Sequence, residues 1–142
     1  MIYTNLTKQA LKLCFEAHKE QTDKSGMPYV FHPFHLAEQM TDEATTVVAL
    51  LHDVVEDTEL TFEDIEKQGF GEEIISALKL LTHNDDTPYM DYVTKIKNNK
   101  IAIVVKLADL KHNSDLTRLD IVDEKALKRK EKYEKAIKLL EE

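Results

Sequence analysis

Apolar positions recur along the chain at helical spacing, and few glycines or prolines interrupt them. From about Thr4 to Gln21, Leu6, Ala10, Leu13 and Ala17 predict a first helix that ends before the turn-rich loop TDKSGMPY. Pro33 suits the first turn of a short helix running to Met40, and its ring predicts an extended backbone at His32. Thr41 and Asp42 are good caps for the next helix, expected to continue unbroken to about Asp57. Thr61 and Asp64 form a capping-box-like pair ahead of another, with Asp in place of the usual Glu or Gln. FGEEIISALKLLT places Ile74, Ile75, Leu78 and Leu81 on one stripe, and TPYMDYVTKIKNN suits a further helix. In KIAIVVKLADLKHNSDL the β-branched residues would also suit a strand, but Ile101, Val104, Val105 and Ala108 keep helical spacing, which predicts helix. From Asp123, Ala126, Leu127, Tyr133, Ile137 and Leu140 are spaced for a last amphipathic helix. The pattern predicts an all-α protein.

Its 142 residues, 42% of them apolar, suit one domain spanning residues 1–142. A net charge of −8 argues against general attraction to nucleic acid or to acidic membranes. A local lysine cluster or metal can still reverse the field at one place, so an anionic small-molecule partner remains open. Cys14 is the only cysteine, so no intrachain disulfide forms, and MIYTNLTKQA lacks the pattern of a signal peptide. A cytoplasmic location is the expectation. No apolar run approaches the roughly 20 residues of a membrane helix.

Candidate chemistry begins in VVALLHDVVEDT, where five apolar residues run into His52 and Asp53, with Glu56 and Asp57 close behind. On a continuous helix His52 and Glu56 are four apart, as are Asp53 and Asp57, so all four share one strip. Carboxylates in a buried segment are costly unless paired or bound to metal. Two readings stay open, a helix end emerging into solvent and a site. If a site, the chain should carry further ligands. Asp109 interrupts another apolar segment, with Lys106 and Asn113 on the same helical face, and His32 stands beside Pro33. Imidazole with carboxylates suits manganese, iron, zinc or similar ions.

YVFHP, HDVVEDT and VKLADLKHN together resemble the three motifs of HD-domain phosphohydrolases. More narrowly, AHKEQTDKSGMPYVFHP and HDVVEDT resemble the hydrolase domain of RelA/SpoT-type enzymes and stand-alone small alarmone hydrolases, with similarity running over roughly residues 17–118. The resemblance implies an all-helical, compact HD domain and one divalent ion, typically manganese, held by His32, His52, Asp53 and Asp109. It also implies hydrolysis of guanosine tetra- or pentaphosphate at the ribose 3′ position with release of pyrophosphate. Within these 142 residues there is no room for the synthetase domain found in long bifunctional relatives, so alarmone synthesis is not expected of them.

The chemistry agrees with those roles. Glu56 and Asp57 stand one turn beyond the His-Asp pair, where they can orient or deprotonate a water and handle the leaving group's proton. Lys24, Ser25, Lys106 and Asn113 can supply phosphate and ribose contacts. His18, His35, His83 and His112 are assigned structural or surface positions. Two departures from the family pattern bear on substrate: Asp23 stands where alarmone hydrolases usually carry an arginine, and Leu110 where an arginine commonly follows the motif aspartate. Asp23 predicts repulsion of a polyanionic nucleotide. Alternatives are therefore hydrolysis of another phosphorylated nucleotide or small phosphoester, and a non-catalytic nucleotide-binding module.

Overall fold

Every residue from Thr45 to Leu51 is buried, so one helix of the chain is apolar or enclosed on all its faces. Such a helix must sit inside the others. The computed structural model describes residues 1–142 and shows how they surround it. In order they form α1 (Asn5–His18), α2 (Phe31–Glu38), α3 (Glu43–Leu51), the single turn α4 (Val54–Asp57), α5 (Phe62–Lys67) and α6 (Glu72–Leu81). Then come α7 (Tyr89–Ile96), α8 (Lys100–Asn113), a 3-10 turn (Leu116–Arg118) and α9 (Glu124–Glu141). The central helix α3 packs against α1, α2, α6 and α8, while α9 closes over α7 and α8. The only β-type pairing is an isolated bridge between Thr22 and Pro28.

Local chemistry explains most boundaries. Asp42, Asn99 and Asp123 cap α3, α8 and α9 by accepting the N–H groups of Thr45, Ala102 and Ala126. The Thr61–Asp64 pair forms a complete capping box on α5. The segment from Ile101 to Ala108, ambiguous by composition, lies wholly within α8.

Other expectations are corrected. α1 stops at His18 and not Gln21, because the Gln21 N–H turns back onto the His18 carbonyl. His32 is helical rather than extended: α2 begins at Phe31, and Pro33 falls within the first turn, where a missing N–H costs nothing. Thr41–Asp57 is not one helix, since α3 ends at Leu51 and Asp53 sits at φ −107°, ψ 2°. The physical cause is local: His52 Nδ1 donates to the Ala49 carbonyl at 2.7 Å, competing with the backbone for that acceptor. Two residues assigned to apolar faces, Val104 and Leu127, are 46% and 50% exposed, because small residues do the close packing there: Ala102 and Ala108 on α8, Ala126 and Ala136 on α9.

Leu50, fully buried at the centre of α3, tests this arrangement. Leu50→Ala should cost about 2–5 kcal/mol of stability, read as a lower urea midpoint with an unchanged slope. A loss below about 1 kcal/mol would contradict the central placement of α3.

Candidate metal centre and active site

The break after α3 is what assembles the site. His52 caps the C-terminus of α3, and the hydrogen bond from its Nδ1 to Ala49 leaves Nε2 as the nitrogen that can turn to a cation. That Nε2 is buried without a hydrogen-bond partner; Asp53 Oδ2 lies 2.9 Å away and Asp109 Oδ1 3.5 Å away, both poorly directed for one. From α2, His32 reaches Asp109 Oδ1 with Nε2 at 2.8 Å. From α8, Lys106 Nζ donates to Asp109 Oδ2 at 2.9 Å and Asn113 Nδ2 to Asp109 Oδ1 at 3.0 Å, so the face read from the sequence is formed. Ligand atoms of His32, His52 and Asp109 all lie within 4.8 Å of one another, and all three residues are buried. Asp53 stands next to this trio, its carboxylate held by the Tyr29 hydroxyl.

This donor set fits a divalent ion. It combines imidazole nitrogen with carboxylate oxygen, and it contains a buried, unpartnered imidazole nitrogen that a cation would satisfy.

A cavity of about 500 Å³ opens in front of the trio, lined by Asp53, Glu56, Asp57, Lys24, Lys106 and Asn113 together with His52 and Asp109. Its wall also carries Tyr29, His83, Tyr89, Tyr92 and Tyr133. Glu56 is aimed by the backbone N–H of His83, which donates to its Oε1 at 2.7 Å. A second cavity of about 350 Å³ shares Lys24, Tyr29, Asn113 and Tyr133 with the first and adds His32, Ser25, Arg118 and Arg129. Ser25 lies only in this second space, and its hydroxyl donates to the Arg118 carbonyl at 2.9 Å. The role of Ser25 visible here is to tie two loops together.

Charges in the cavity set one another. Burial opposes ionisation of Asp109, but Lys106, the hydrogen bond from His32 and the nearby His52 ring outweigh it and hold the carboxyl well below its usual range. Burial likewise opposes charge on His52 and on Lys106, yet Asp53 and then Asp109 raise His52 well above the usual imidazole range, and Asp109 chiefly does the same for Lys106; a cation at His52 Nε2 would take the place of the proton that these carboxylates favour. Partial loss of water, then repulsion from Asp53 and Glu56, pushes Asp57 up to about 6. Glu56 is raised by burial, against the opposing pull of the His83 N–H.

Asp23 lines the second cavity but does not face it as a free acid. Its Oδ1 accepts the N–H groups of Ser25 and Met27, and its Oδ2 faces Arg118 Nη2 at 3.9 Å. Leu110 is fully buried in the core and lines neither cavity. Sequence reasoning missed Tyr29, although it stands three residues before His32 in the YVFHP motif, and it missed the backbone tether that His83 supplies to Glu56. Arg118 and Arg129 had no signal beyond being basic residues after the last motif.

Residues 10–138 match the family described as HD domain, and the chain belongs to that family. It is 34% identical over 121 residues to the bifunctional (p)ppGpp synthase/hydrolase SpoT of Escherichia coli K12, covering 75% of this chain and 17% of that protein. It is 40% identical over 79 residues to the guanosine-3′,5′-bis(diphosphate) 3′-pyrophosphohydrolase of Aquifex aeolicus, covering 53% of this chain and 11% of that one. The chain thus spans less than a fifth of the length of these relatives. A solved structure of a metazoan SpoT orthologue that hydrolyses ppGpp superposes with a TM-score of 0.78 at 25% identity, covering 99% of this chain and 88% of that chain. No helix here is long and apolar enough to cross a membrane.

Asp57 yields a pH prediction. Its folded value, about 6, lies above its unfolded value of about 3.9, so the folded protein binds the proton more tightly. The stabilisation from neutral Asp57 is complete below the unfolded value and is lost as pH rises through the folded one. Chelator-treated wild-type protein should therefore lose melting temperature relative to Asp57→Asn between roughly pH 4 and pH 7. A difference that stays flat across that window would show that Asp57 carries no such shift.

Proposed function

We propose that the protein is a metal-dependent phosphohydrolase that acts on guanosine 3′,5′-bis(diphosphate), releasing pyrophosphate from the ribose 3′ position, with manganese as the bound ion. The observation that carries this reading is the buried His32–His52–Asp109 trio, with its free Nε2, opening onto a cavity that also holds Glu56, Asp57 and two lysines. The named activities of the E. coli, A. aeolicus and metazoan relatives support the choice of substrate.

His32, His52, Asp53 and Asp109 would hold the ion. It would supply charge to polarise the phosphoryl group and lower the pKa of water to near 7. The remaining steps belong to the chain. Glu56, fixed by the His83 N–H, orients and deprotonates the attacking water, and Asp57, protonated more readily than an ordinary carboxyl, returns a proton to the ribose oxygen as it leaves. Lys106 stays charged beside Asp109, and with Lys24 it offsets phosphate charge. Asn113 lies between the two cavities, in reach of the ribose.

The direct test is product analysis of manganese-loaded protein on guanosine tetraphosphate, with other phosphorylated nucleotides beside it. Pyrophosphate and guanosine 5′-diphosphate in equal amounts are expected; no turnover of the alarmone, or release of single phosphates, would reject the assignment. Glu56→Gln should bind manganese normally yet lose roughly 10²-fold or more in turnover. Near-wild-type turnover would remove Glu56 from the chemistry. Asp23→Arg should raise the Michaelis constant, since it deletes the acceptor for two backbone N–H groups and sets a second cation against Arg118. A lowered constant would restore the repulsive role that the sequence suggested.

A further inference from the structure

His112 touches the site from outside both the cavity and the proposed ligand set. Its Nδ1 lies 2.7 Å from His32 Nδ1, the ring planes differ by 4°, and the centroids are 5.0 Å apart. With nitrogens so close and centroids so far apart, the rings meet edge to edge in one plane, as an N–H···N hydrogen bond requires. The His35 ring packs against His112 with centroids 4.2 Å apart and so holds its plane.

Two ring nitrogens sharing one hydrogen bond hold one proton between them, and which ring carries it follows from the other side of His32. Toward the Asp109 carboxylate, which only accepts, His32 Nε2 carries a hydrogen; His32 Nδ1 is then the acceptor and His112 Nδ1 the donor. A His32 that gives its Nε2 lone pair to a cation needs the reverse, with the hydrogen on its own Nδ1 and a lone pair on His112 Nδ1. A histidine partner serves both arrangements with neither ring turning. The backbone carbonyl that holds His52 accepts in only one direction.

We infer that His112 is a positioning residue for the metal centre: it fixes the plane of His32 and exchanges the proton of the shared bond, so that His32 Nε2 becomes a metal donor. The inference rests on His32 being a ligand, as in the proposed function. The protons balance: His32 loses its Nε2 proton to solvent and draws the shared proton onto Nδ1, and His112 takes one from solvent onto Nε2. The pair holds two protons before and after.

The test uses zinc, which is diamagnetic, as the probe. Zinc affinity is measured by chelator competition for wild type, His112→Phe, His112→Asn and His32→Ala, with the melting temperature of each metal-free protein alongside. Loss of the acceptor in His112→Phe should weaken binding by about 10–100-fold, the usual scale for removing the partner of a ligating histidine. His112→Asn, whose Oδ1 can accept from His32, should bind close to wild type at a similar melting temperature. In the zinc-loaded wild type, nitrogen NMR should show His32 protonated at Nδ1 and coupled through the hydrogen bond to His112 Nδ1. That spectrum decides the matter even where His112→Phe fails to fold. Undiminished affinity in a folded His112→Phe, or no coupling between the two nitrogens, would overturn the inference and leave the metal assignment standing. Undiminished affinity in His32→Ala would overturn the ligand assignment, and the inference with it.

Discussion

A carboxylate 5% exposed in the middle of a core helix is the constraint on which the rest of this structure depends. Removing one partner of a buried ion pair costs about 3–5 kcal/mol, a large share of a small domain's stability. Asp109 meets that demand with Lys106 and Asn113 from its own helix and with His32 from α2, and His52 on α3 stands close by. Three helices must therefore dock in one register. Apolar packing alone would tolerate small slips among α2, α3 and α8, whereas a slip here strands a charge. The core supplies the driving force and Asp109 selects the alignment.

The same constraint explains why α3 has to end where it does. Had the helix run on through Asp53, the Ala49 carbonyl would accept the Asp53 N–H, and His52 Nδ1 would lose the acceptor that orients its ring. Breaking the helix frees the Ala49 carbonyl for the imidazole and fixes that ring beside Asp109 of α8. The single turn that follows still presents Glu56 and Asp57 to the same cavity, so the strip expected on a continuous helix survives as a wall made of two pieces.

Elements were legible in the sequence wherever periodicity and caps agreed, as in α6 with its apolar stripe and α5 with its capping box. Boundaries failed where a side chain competed with the backbone, which no spacing rule contains. His52 ended a helix that its neighbours would have continued, and α2 began at Phe31, two residues ahead of the Pro33 whose ring suggested an extended His32. The candidate ligands were legible because they are acids and histidines stranded among apolar residues, an arrangement with a free-energy cost. Their supporting partners were not. Tyr29 and His112 look ordinary in the chain and acquire meaning only from distances between segments far apart in sequence. Asp23 was misjudged for the same reason, since its sign was visible and its hydrogen bonds were not.

Charge is divided between the two connected cavities in a way that orders the events at the proposed site. The first sets two lysines against Asp53, Glu56, Asp57 and Asp109, while the second sets Lys24, Arg118 and Arg129 against Asp23 alone. On the proposed reading, a phosphorylated nucleotide would be attracted to the second cavity and repelled by the first in the metal-free protein. Each like-charge contact at about 4 Å is unfavourable by roughly 4 kcal/mol at an effective dielectric of 20. A divalent cation held among His32, His52 and Asp109 would offset the acidic excess of the first cavity and so remove most of that repulsion. The overall charge of −8 therefore says little about which ligand the protein takes, because the two connected cavities carry local surpluses of opposite sign that the total conceals.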